Sequence, residues 1–269
     1  MSRIAELQPL RIIQLSDLHL FEKSTDSVGW CAACSDFSTD ESLLAVLDEI
    51  QLSEPHFESF VVTGDIAQEP RVKTYQRFAQ LISREAVPVY CLPGNHDDAE
   101  LLEQALAGGL VSAPGHIVKG SWLLIFLDSS VLNQPAGCLS DKELNRLAYL
   151  LEEYPSHHTA LFLHHPPHDV GSEWLDKIGL TNRQQLFNIL DQADQVRAVI
   201  GGHIHQELDA QRNHYRILGT PSTCIQFLPG QKTFTLDSCP PAYRWLEMHA
   251  DGTLDTAIRY LPVAMEKSA

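Results

Sequence analysis

Short apolar runs recur along the first three quarters of the chain, and each is followed directly by Asp, Gly, Pro or His. Short runs rich in branched and aromatic side chains, bounded by such residues, are typical of buried β-strands. The sequence therefore predicts strands at residues 11–16, 60–63, 87–92, 122–127, 160–163 and 198–200. Functional side chains are therefore expected among the residues that directly follow these runs.

Amphipathic stretches separate these predicted strands. In residues 41–52, apolar side chains stand at positions 43, 44, 47 and 50, which is the spacing of one face of a helix. Ser38, Thr39 and Asp40 precede this stretch and are candidates for its N-cap. The same pattern predicts helices at 75–84, 99–106, 142–153 and 182–191. Strands that alternate with helices indicate a layered α/β architecture.

The last quarter of the chain has a different pattern, because strands follow one another there with little helix between them. These strands are predicted at 215–218, 233–236, 243–248 and 256–261, and Asp251 with Gly252 predicts a hairpin turn. The chain contains no internal repeat and no obvious linker. We therefore expect one domain over residues 1–269, with its core motifs in 11–206 and a mostly β segment at 207–269 that finishes a sheet with antiparallel strands.

Five of the predicted strands end in clusters of residues that can bind metal. The clusters are Asp17-Leu18-His19, Gly64-Asp65, Gly94-Asn95-His96-Asp97, His164-His165-Pro166-Pro167 and Gly201-Gly202-His203-Ile204-His205. In layered α/β folds, ligands collect beyond the carboxyl ends of the strands. In an extended segment, side chains at i and i+2 point to the same side, so Asp17 with His19 and His203 with His205 should each direct two ligands towards one place. The sequence thus predicts a metal site at this edge.

The candidate ligands are oxygen and imidazole groups without a thiolate. This set suits Fe, Mn, Zn or Co better than it suits Ca or a structural zinc of the kind that cysteines bind. The seven candidates are Asp17, His19, Asp65, Asn95, His164, His203 and His205. Each one alone would more often be a turn residue, a helix cap or a structural histidine. Seven ligands are too many for one ordinary ion but fit two ions that share a carboxylate, an arrangement that stabilises the attacking and leaving oxygens in phosphoryl displacement.

The overall charge narrows the range of ligands. The chain has 19 Lys and Arg against 35 Asp and Glu, a formal net charge of −16, although it also has 13 His. So acidic a chain is not expected to bind nucleic acid or an anionic membrane surface, since both require basic surface. No basic segment with a long apolar core begins the chain, and the longest apolar run is 122–127, so we expect neither a secretory signal nor a membrane span and a cytoplasmic location.

The six cysteines are too few for a disulfide scaffold in a chain of this length. Cys31 and Cys34 have the C-x-x-C spacing of redox and zinc sites, but no second pair follows and no strand places them at the start of a helix. An incidental pair in a loop is therefore favoured, with a metal or redox role left open.

The ordered motifs D-x-H, GD, GNHD, HHPP and GGHIH resemble the calcineurin-like metallophosphoesterases. Within that superfamily the chain is similar to the class III cyclic nucleotide phosphodiesterases, and most similar to the bacterial 3′,5′-cyclic AMP phosphodiesterases. Residues 202–209, 221–224 and 249–254 extend this resemblance over almost the whole chain. The segment around Cys31 and Cys34 looks inserted relative to the family pattern.

The resemblance implies a four-layer α/β/β/α sandwich of two mixed sheets with a dinuclear metal site at the carboxyl ends of the strands. It assigns one metal to Asp17, His19, Asp65 and His205 and the other to Asp65, Asn95, His164 and His203, with Asp65 as the bridge. His96 would contact the phosphate and protonate the leaving oxygen, and Asp97 would orient His96. Substrate contacts are expected from His19, Asp65, Asn95, His96, His164, His203 and His205. Two Fe²⁺ or Mn²⁺ ions are the expected cofactors, with Zn²⁺ or Co²⁺ as alternatives.

The function expected from this resemblance is hydrolysis of 3′,5′-cyclic AMP to 5′-AMP by a monomer or homodimer. A phosphodiesterase for glycerophosphodiesters or 2′,3′-cyclic nucleotides stays open, because the catalytic motifs concern only the phosphate. A non-catalytic scaffold on the same fold is less favoured, because all seven candidate ligands are present. The sequence does not reveal the adenine pocket, for which residues near Trp174, 221–227 and His168 are the candidates.

Overall fold

The structure is a computed structural model that describes residues 8–26, 37–54, 56–106 and 109–262. The described strands are β1 (Leu10–Leu15), β2 (Ser59–Thr63), β3 (Val89–Leu92), β4 (Val111–Ser112), β5 (His116–Lys119), β6 (Trp122–Leu127), β7 (His158–Leu163), β8 (Val196–Gly201), β9 (Leu208–Arg212), β10 (Tyr215–Gly219), β11 (Gln226–Phe227), β12 (Leu236–Asp237), β13 (Ala242–Met248) and β14 (Leu254–Tyr260). The described helices are α1 (Thr39–Ser53), α2 (Val72–Ile82), α3 (Ala99–Leu106), α4 (Asp141–Glu153), α5 (Glu173–Asp176) and α6 (Arg183–Leu190), and a 3-10 turn at Ser83–Glu85 follows α2.

The strands form two six-stranded mixed sheets and a two-stranded ribbon of β11 and β12 within the described residues. The first sheet has the order β14-β13-β1-β2-β3-β4, in which β1 to β4 are parallel and β13 is antiparallel to both neighbours. The second has the order β5-β6-β7-β8-β10-β9, with β5 and β9 as antiparallel edge strands. The C-terminal strands therefore complete both sheets.

Alternation along the strands produces the layers. In β1, Ile13 and Leu15 pack with the helices that cover the outer face of the first sheet, while Leu10 and Ile12 pack against the second sheet. In β6, Leu123, Ile125 and Leu127 pack with α4 and α6, while the alternate residues fill the space between the sheets. Because both faces of these strands are buried, their sequences read as unbroken apolar runs. The result is the expected α/β/β/α sandwich.

The central elements follow the sequence prediction closely. The predicted runs at 11–16, 60–63 and 122–127 became β1, β2 and β6 with ends shifted by at most one residue. Ser38 caps α1, since its side chain accepts a hydrogen bond from the Glu41 amide. The predicted turn at Asp251 and Gly252 joins β13 to β14, and Gly252 has a φ of 88° that glycine adopts readily.

The sequence prediction was less accurate for the less apolar segments. The strand predicted at 233–236 is reduced to β12, because its partner β11 offers only two residues for pairing. The strands β5 and β9 were not predicted. Both lie at sheet edges and mix polar with apolar residues, which weakens the apolar signal used to find strands.

A buried polar chain links the two sheets just below the strand ends. Gln14 of β1 donates to the Thr63 hydroxyl (2.9 Å) and to the Gly201 carbonyl (3.1 Å), and it accepts from the Thr220 hydroxyl (2.6 Å). Arg244 of β13 is 1% exposed and donates from Nε to the same Thr220 hydroxyl at 3.0 Å. Since buried polar groups are costly when unpaired, this chain fixes how one sheet lies on the other.

Candidate metal centre

All five clusters found in the sequence lie at the carboxyl ends of strands, at one edge of the sandwich. From the first sheet come Asp17 and His19 after β1, Asp65 after β2, and Asn95 to Asp97 after β3. From the second sheet come His164 after β7, and His203 and His205 after β8. The side chains meet across the gap between the sheets, and four groups of three are close enough to share an ion.

Five of the seven expected ligands have left-handed backbone conformations. The φ angles are 55° at Asp17, 50° at His19, 50° at Asp65, 68° at His203 and 48° at His205. The segments are therefore not extended, and the expected i and i+2 geometry is wrong in detail. Such conformations cost about 1–3 kcal/mol each for residues other than glycine and persist at sites where the surrounding structure imposes them.

Hydrogen bonds between the strand-end loops impose these conformations. The amides of Asp17 and His19 donate to the carbonyls of Gly64 (3.0 Å) and Asp65 (2.9 Å). The segment 221–224, which carries part of the family resemblance, contacts the same loop: Ser222 donates from its hydroxyl to the Asp17 carbonyl at 2.7 Å, and the Thr223 amide donates to the Ser16 carbonyl at 3.0 Å. The loops thus hold one another in place.

One group of ligands surrounds Asp17. Nε2 of His205 lies 3.3 Å from Oδ1 of Asp17 and 3.3 Å from Nε2 of His19. Nε2 of His19 in turn lies 3.9 Å from Oδ2 of Asp65. All four side chains are almost completely buried. These are the residues that the resemblance assigns to one metal, and the structure brings them together.

A second group surrounds His164. Its Nε2 lies 3.4 Å from Oδ2 of Asp65 and 3.1 Å from Oδ1 of Asn95. The His203 ring lies 5.1 Å from the His164 ring, and its Nε2 is buried without a hydrogen-bond partner among the described residues. A buried imidazole nitrogen of this kind is costly in a protein interior unless another group occupies its lone pair. Oδ2 of Asp65 therefore approaches histidines of both groups.

The orientation of two histidines suits metal binding. Nδ1 of His205 lies 2.6 Å from the Ile225 carbonyl, and Nδ1 of His164 lies 2.7 Å from the Thr63 carbonyl. Because a carbonyl oxygen only accepts, each Nδ1 carries a proton, and each Nε2 is the ring nitrogen directed into the centre. Metal-ligating histidines are commonly fixed by this kind of hydrogen bond to the backbone.

The charges at the centre favour cations. Burial would raise the pKa of Asp17, but His205 and His164 lower it to about 2, so the group is anionic at neutral pH. Burial lowers the pKa of His19 to about 3, so its ring is neutral. For His164, burial opposes ionisation, yet Asp65 and Asp17 raise the pKa to about 9. The carboxylates thus hold a positive charge at Nε2 of His164, where a divalent cation would replace the proton.

Glycines allow the loops to approach this closely. A Cβ on Gly94 would lie 2.2 Å from Oδ1 of Asp65, and a Cβ on Gly64 would lie 2.6 Å from Nδ1 of His164. The donor set, the buried lone pair on His203 and the anionic carboxylates all fit a pair of divalent cations. The residues present therefore suit a dinuclear metal site.

His96 lies at the open side of the centre. Its amide donates to Oδ1 of Asp65 at 2.9 Å, and its Nδ1 donates to the Gln68 carbonyl at 3.1 Å. Its ring meets the His19 ring edge to face at 5.1 Å. His96 is only partly buried and lines the cleft above the centre, so its Nε2 is the ring nitrogen left for a ligand.

The structure gives Asp97 a different role from the one expected. Its carboxylate accepts from the amides of Ile66 (3.1 Å), Ala67 (3.0 Å) and Gly94 (2.9 Å), and from the Tyr75 hydroxyl (3.1 Å). Burial, with a contribution from Asp65, raises its pKa to about 6. Asp97 therefore joins the loops after β2 and β3, and its described hydrogen bonds go to these partners and not to the His96 ring.

His165 is a residue that the motif analysis left without a firm role. Its Nε2 donates to the Pro135 carbonyl at 3.2 Å, so its Nδ1 accepts from the Ser129 hydroxyl at 2.9 Å. With both nitrogens engaged, the buried ring packs at 4.5 Å from the His203 ring and supports it. Ser129 and Pro135 carry no motif, so the sequence could not indicate this support.

A cleft of about 390 Å³ opens above the centre. The described residues on its polar side are His19, Asp65, Gln68, Asn95, His96, His203 and His205. Its other side is apolar and includes three aromatic side chains, Trp174, Phe227 and Phe234, which we call the aromatic wall. Of the candidates for a base pocket, Trp174 and Phe227 line the cleft, whereas His168 is exposed and lines a separate cavity.

Two expectations from the sequence concern other parts of the chain. Cys31 and Cys34 lie outside the described residues. None of the described helices is long and apolar enough to cross a membrane.

A layered sandwich with buried carboxylates and histidines at its strand ends defines a metal-dependent phosphoesterase. Residues 10–207 match the calcineurin-like phosphoesterase family, and the chain belongs to that family. Among solved structures, a dimetal phosphatase from Danio rerio has a TM-score of 0.63 at 14% identity, covering 95% of this chain and 100% of its own. A purple acid phosphatase from yellow lupin has a TM-score of 0.61 at 12% identity, covering 94% of this chain and 55% of its own. These structures share the fold.

Closer relatives are found by sequence. The 3′,5′-cyclic adenosine monophosphate phosphodiesterase CpdA of Escherichia coli K12 is 40% identical over 253 residues, which cover 94% of this chain and 90% of the relative. The enzyme of the same name from Pseudomonas aeruginosa is 38% identical, over 92% of this chain and 88% of the relative. A 3′,5′-cyclic-nucleotide phosphodiesterase of Nostoc is 35% identical, over 97% and 96%. The similarity thus extends beyond the family motifs into the C-terminal strands.

Proposed function

We propose that this protein is a metal-dependent phosphodiesterase that hydrolyses 3′,5′-cyclic AMP to 5′-AMP and so lowers its concentration in the cell. The observation that carries the proposal is the position of Asp65, whose Oδ2 approaches His19 of one ligand group at 3.9 Å and His164 of the other at 3.4 Å. A carboxylate so placed is suited to two cations in one cleft. Two relatives at 38–40% identity over most of the chain are named as 3′,5′-cyclic AMP phosphodiesterases, and a third at 35% is named as a 3′,5′-cyclic-nucleotide phosphodiesterase.

Two divalent cations bound there supply Lewis-acid stabilisation of the phosphate and a water of lowered pKa as the nucleophile. We assign Asp17, His19, Asp65 and His205 to one cation and Asp65, Asn95, His164 and His203 to the other. The cations bring +4 and the carboxylates of Asp17 and Asp65 bring −2, so the centre is positive although the chain has a net charge of −16. The centre therefore attracts a phosphodiester monoanion at one edge of an acidic protein.

The protein supplies the leaving-group proton. Water releases one proton to solvent and adds to phosphorus as hydroxide, the bond between phosphorus and the 3′ oxygen breaks, and that oxygen takes a proton from a side chain, which solvent then protonates again. We assign the proton to Nε2 of His96, because Nδ1 is held by the Gln68 carbonyl and the ring lines the cleft. Asn95 and His96 also donate towards the phosphate oxygens as negative charge develops there.

The native metal is proposed from ligand chemistry. The centre has imidazole and oxygen donors without a thiolate, which suits iron or manganese, with zinc or cobalt as alternatives. The substrate is a small molecule, because a centre positive only at one edge of an acidic chain offers nothing to a long polyanion.

A kinetic panel on purified protein tests the proposal. The substrates are 3′,5′-cyclic AMP, 3′,5′-cyclic GMP, 2′,3′-cyclic AMP and glycerophosphocholine, each with iron, manganese and zinc. We expect the highest kcat/KM for a 3′,5′-cyclic nucleotide, with 5′-AMP as the product from cyclic AMP. A kcat/KM for 3′,5′-cyclic AMP below that for glycerophosphocholine or 2′,3′-cyclic AMP would exclude the assignment and leave another phosphodiesterase.

A further inference from the structure

The three rings of the aromatic wall pack against one another beside the metal centre. The ring centroids of Trp174 and Phe227 are 5.1 Å apart, those of Trp174 and Phe234 are 5.4 Å apart, and those of Phe227 and Phe234 are 5.3 Å apart. All three pairs meet edge to face. Phe234 is 41% exposed and lines the cleft, whereas Phe227 is 8% exposed and belongs to a small apolar core.

The wall is continuous with the metal centre. The ring of Phe227 stacks on the imidazole of His205 with a centroid distance of 3.9 Å and an angle of 11°. Nε2 of the same His205 lies 3.3 Å from Oδ1 of Asp17. A ligand whose phosphate lies on the centre therefore meets the wall with whatever group it carries next to the phosphate.

The wall differs in charge from the rest of the cleft. The ionisable side chains among the described lining residues are His19, Asp65, His96, His203 and His205. Leu175 and Ile178 line the cleft together with the aromatic rings. The cleft thus pairs an anion site with an uncharged, flat-sided apolar site, which is suited to an uncharged aromatic group.

We propose that Trp174, Phe227 and Phe234 form the subsite that receives the nucleobase of the cyclic nucleotide by stacking; this inference rests on the proposed function. A nucleobase joined through ribose to the phosphate carries its aromatic ring where the wall lies. Stacking uses the flat face that every base has, so it depends little on which base is present. A glycerophosphodiester has no ring to place there, so the wall is what favours nucleotides over other phosphodiesters.

The test removes one ring and one base in turn. In metal-loaded protein, Phe234→Ala should lower kcat/KM for 3′,5′-cyclic AMP about tenfold, mostly through KM. For a ribose that carries the same cyclic phosphate but lacks the base, kcat/KM of the wild type and of the variant should agree within about twofold. Phe234→Tyr keeps the ring and should restore activity on cyclic AMP. Tyr149→Ala removes an exposed aromatic ring of α4 outside the cleft and should leave kcat/KM unchanged for both substrates.

Calorimetry gives a readout that does not depend on turnover. Phe234→Ala should weaken binding of 5′-AMP about tenfold and leave binding of ribose 5-phosphate unchanged. An equal loss on the substrates with and without a base, or no loss on either, would overturn the subsite. If wild type instead failed to hydrolyse cyclic AMP, the proposed function would fail, and calorimetry would still decide the subsite: binding of 5′-AMP no tighter than that of ribose 5-phosphate overturns it.

Discussion

The first sheet supplies both carboxylates of the centre, Asp17 and Asp65, whereas the second sheet supplies imidazoles. The contacts that join the ligands cross between the sheets: His205 to Asp17 at 3.3 Å, and His164 to Asp65 at 3.4 Å. Neither sheet alone has the ligands for two ions. The site therefore depends on how the sheets lie on each other as much as on the residues at their edges.

Removal of the shared carboxylate should have the largest effect. Asp65→Ala deletes the anionic group that both ligand groups of the two sheets approach, so we expect a loss of metal and a fall in kcat/KM of roughly 10³-fold or more. Elemental analysis and kinetics on the same sample measure both. Asp209→Ala removes an exposed carboxylate paired with Arg216 and should alter neither the metal content nor kcat/KM. Two metals per chain in Asp65→Ala would refute the shared-carboxylate arrangement.

His96 belongs to the first sheet but has a different task from its neighbours. We expect His96→Ala to keep both metals and to lose about 10²–10⁴ in kcat on cyclic AMP, because the leaving oxygen is no longer protonated. The loss should be much smaller on a nitrophenyl phosphodiester, whose leaving group needs no proton.

His168→Ala, which removes an exposed histidine outside the cleft, is the control for this variant. Equal losses on the two substrates would contradict an acid role for His96. Loss of metal from His96→Ala would instead make it a ligand, since His96 also lies in one cluster with His19 and Asp65.

A glycine substitution tests the fit between the sheets without replacing any of the proposed metal ligands. A Cβ on Gly202 of the second sheet would lie 1.9 Å from Oγ of Ser16 and 2.8 Å from Oδ2 of Asp17 in the first. We expect Gly202→Ala to displace Asp17 and to weaken metal binding about 10–100-fold, the usual cost of disturbing the surroundings of a metal ligand. A Cβ on Gly179 meets its nearest neighbour at 3.9 Å, so Gly179→Ala is the control. Equal metal affinity in the two variants would show that the close approach is unimportant.

The smallest effect is expected from the polar chain between the sheets. Arg244→Met removes the hydrogen bonds that Nη2 donates to the Gly219 carbonyl at 2.8 Å and that Nε donates to the Thr220 hydroxyl at 3.0 Å. This should cost about 1–3 kcal/mol, or roughly 5 °C in Tm. Arg259→Met on neighbouring β14 breaks a half-exposed ion pair with Glu54 and should cost less than about 1 kcal/mol. Calorimetric unfolding of the two variants would contradict the account if Arg259→Met were the less stable.

The candidate site could be predicted from the sequence because its ligands follow central strands. Those strands are buried on both faces, so they stand out as apolar runs, and their order along the chain places Asp17, Asp65 and His164 at one edge. The edge strands β5 and β9 carry polar residues and gave no such signal.

What the sequence could not predict depends on contacts between distant segments. His165 supports His203 because Ser129 and Pro135 hold both of its ring nitrogens, and these two residues belong to no motif. Phe234 reaches the cleft from a segment that was predicted to be a strand. The role of Asp97 is set by amides of the loop after β2, which no local pattern reveals.

The central claim is that the two sheets together hold two cations and that both are needed to hydrolyse cyclic AMP. Titration of metal-free protein with Mn²⁺, while 5′-AMP formation is followed at saturating cyclic AMP, tests it most directly. The account predicts that activity rises until two equivalents per chain are bound and then stays constant. Full activity at one equivalent, or no formation of 5′-AMP at two, would contradict it.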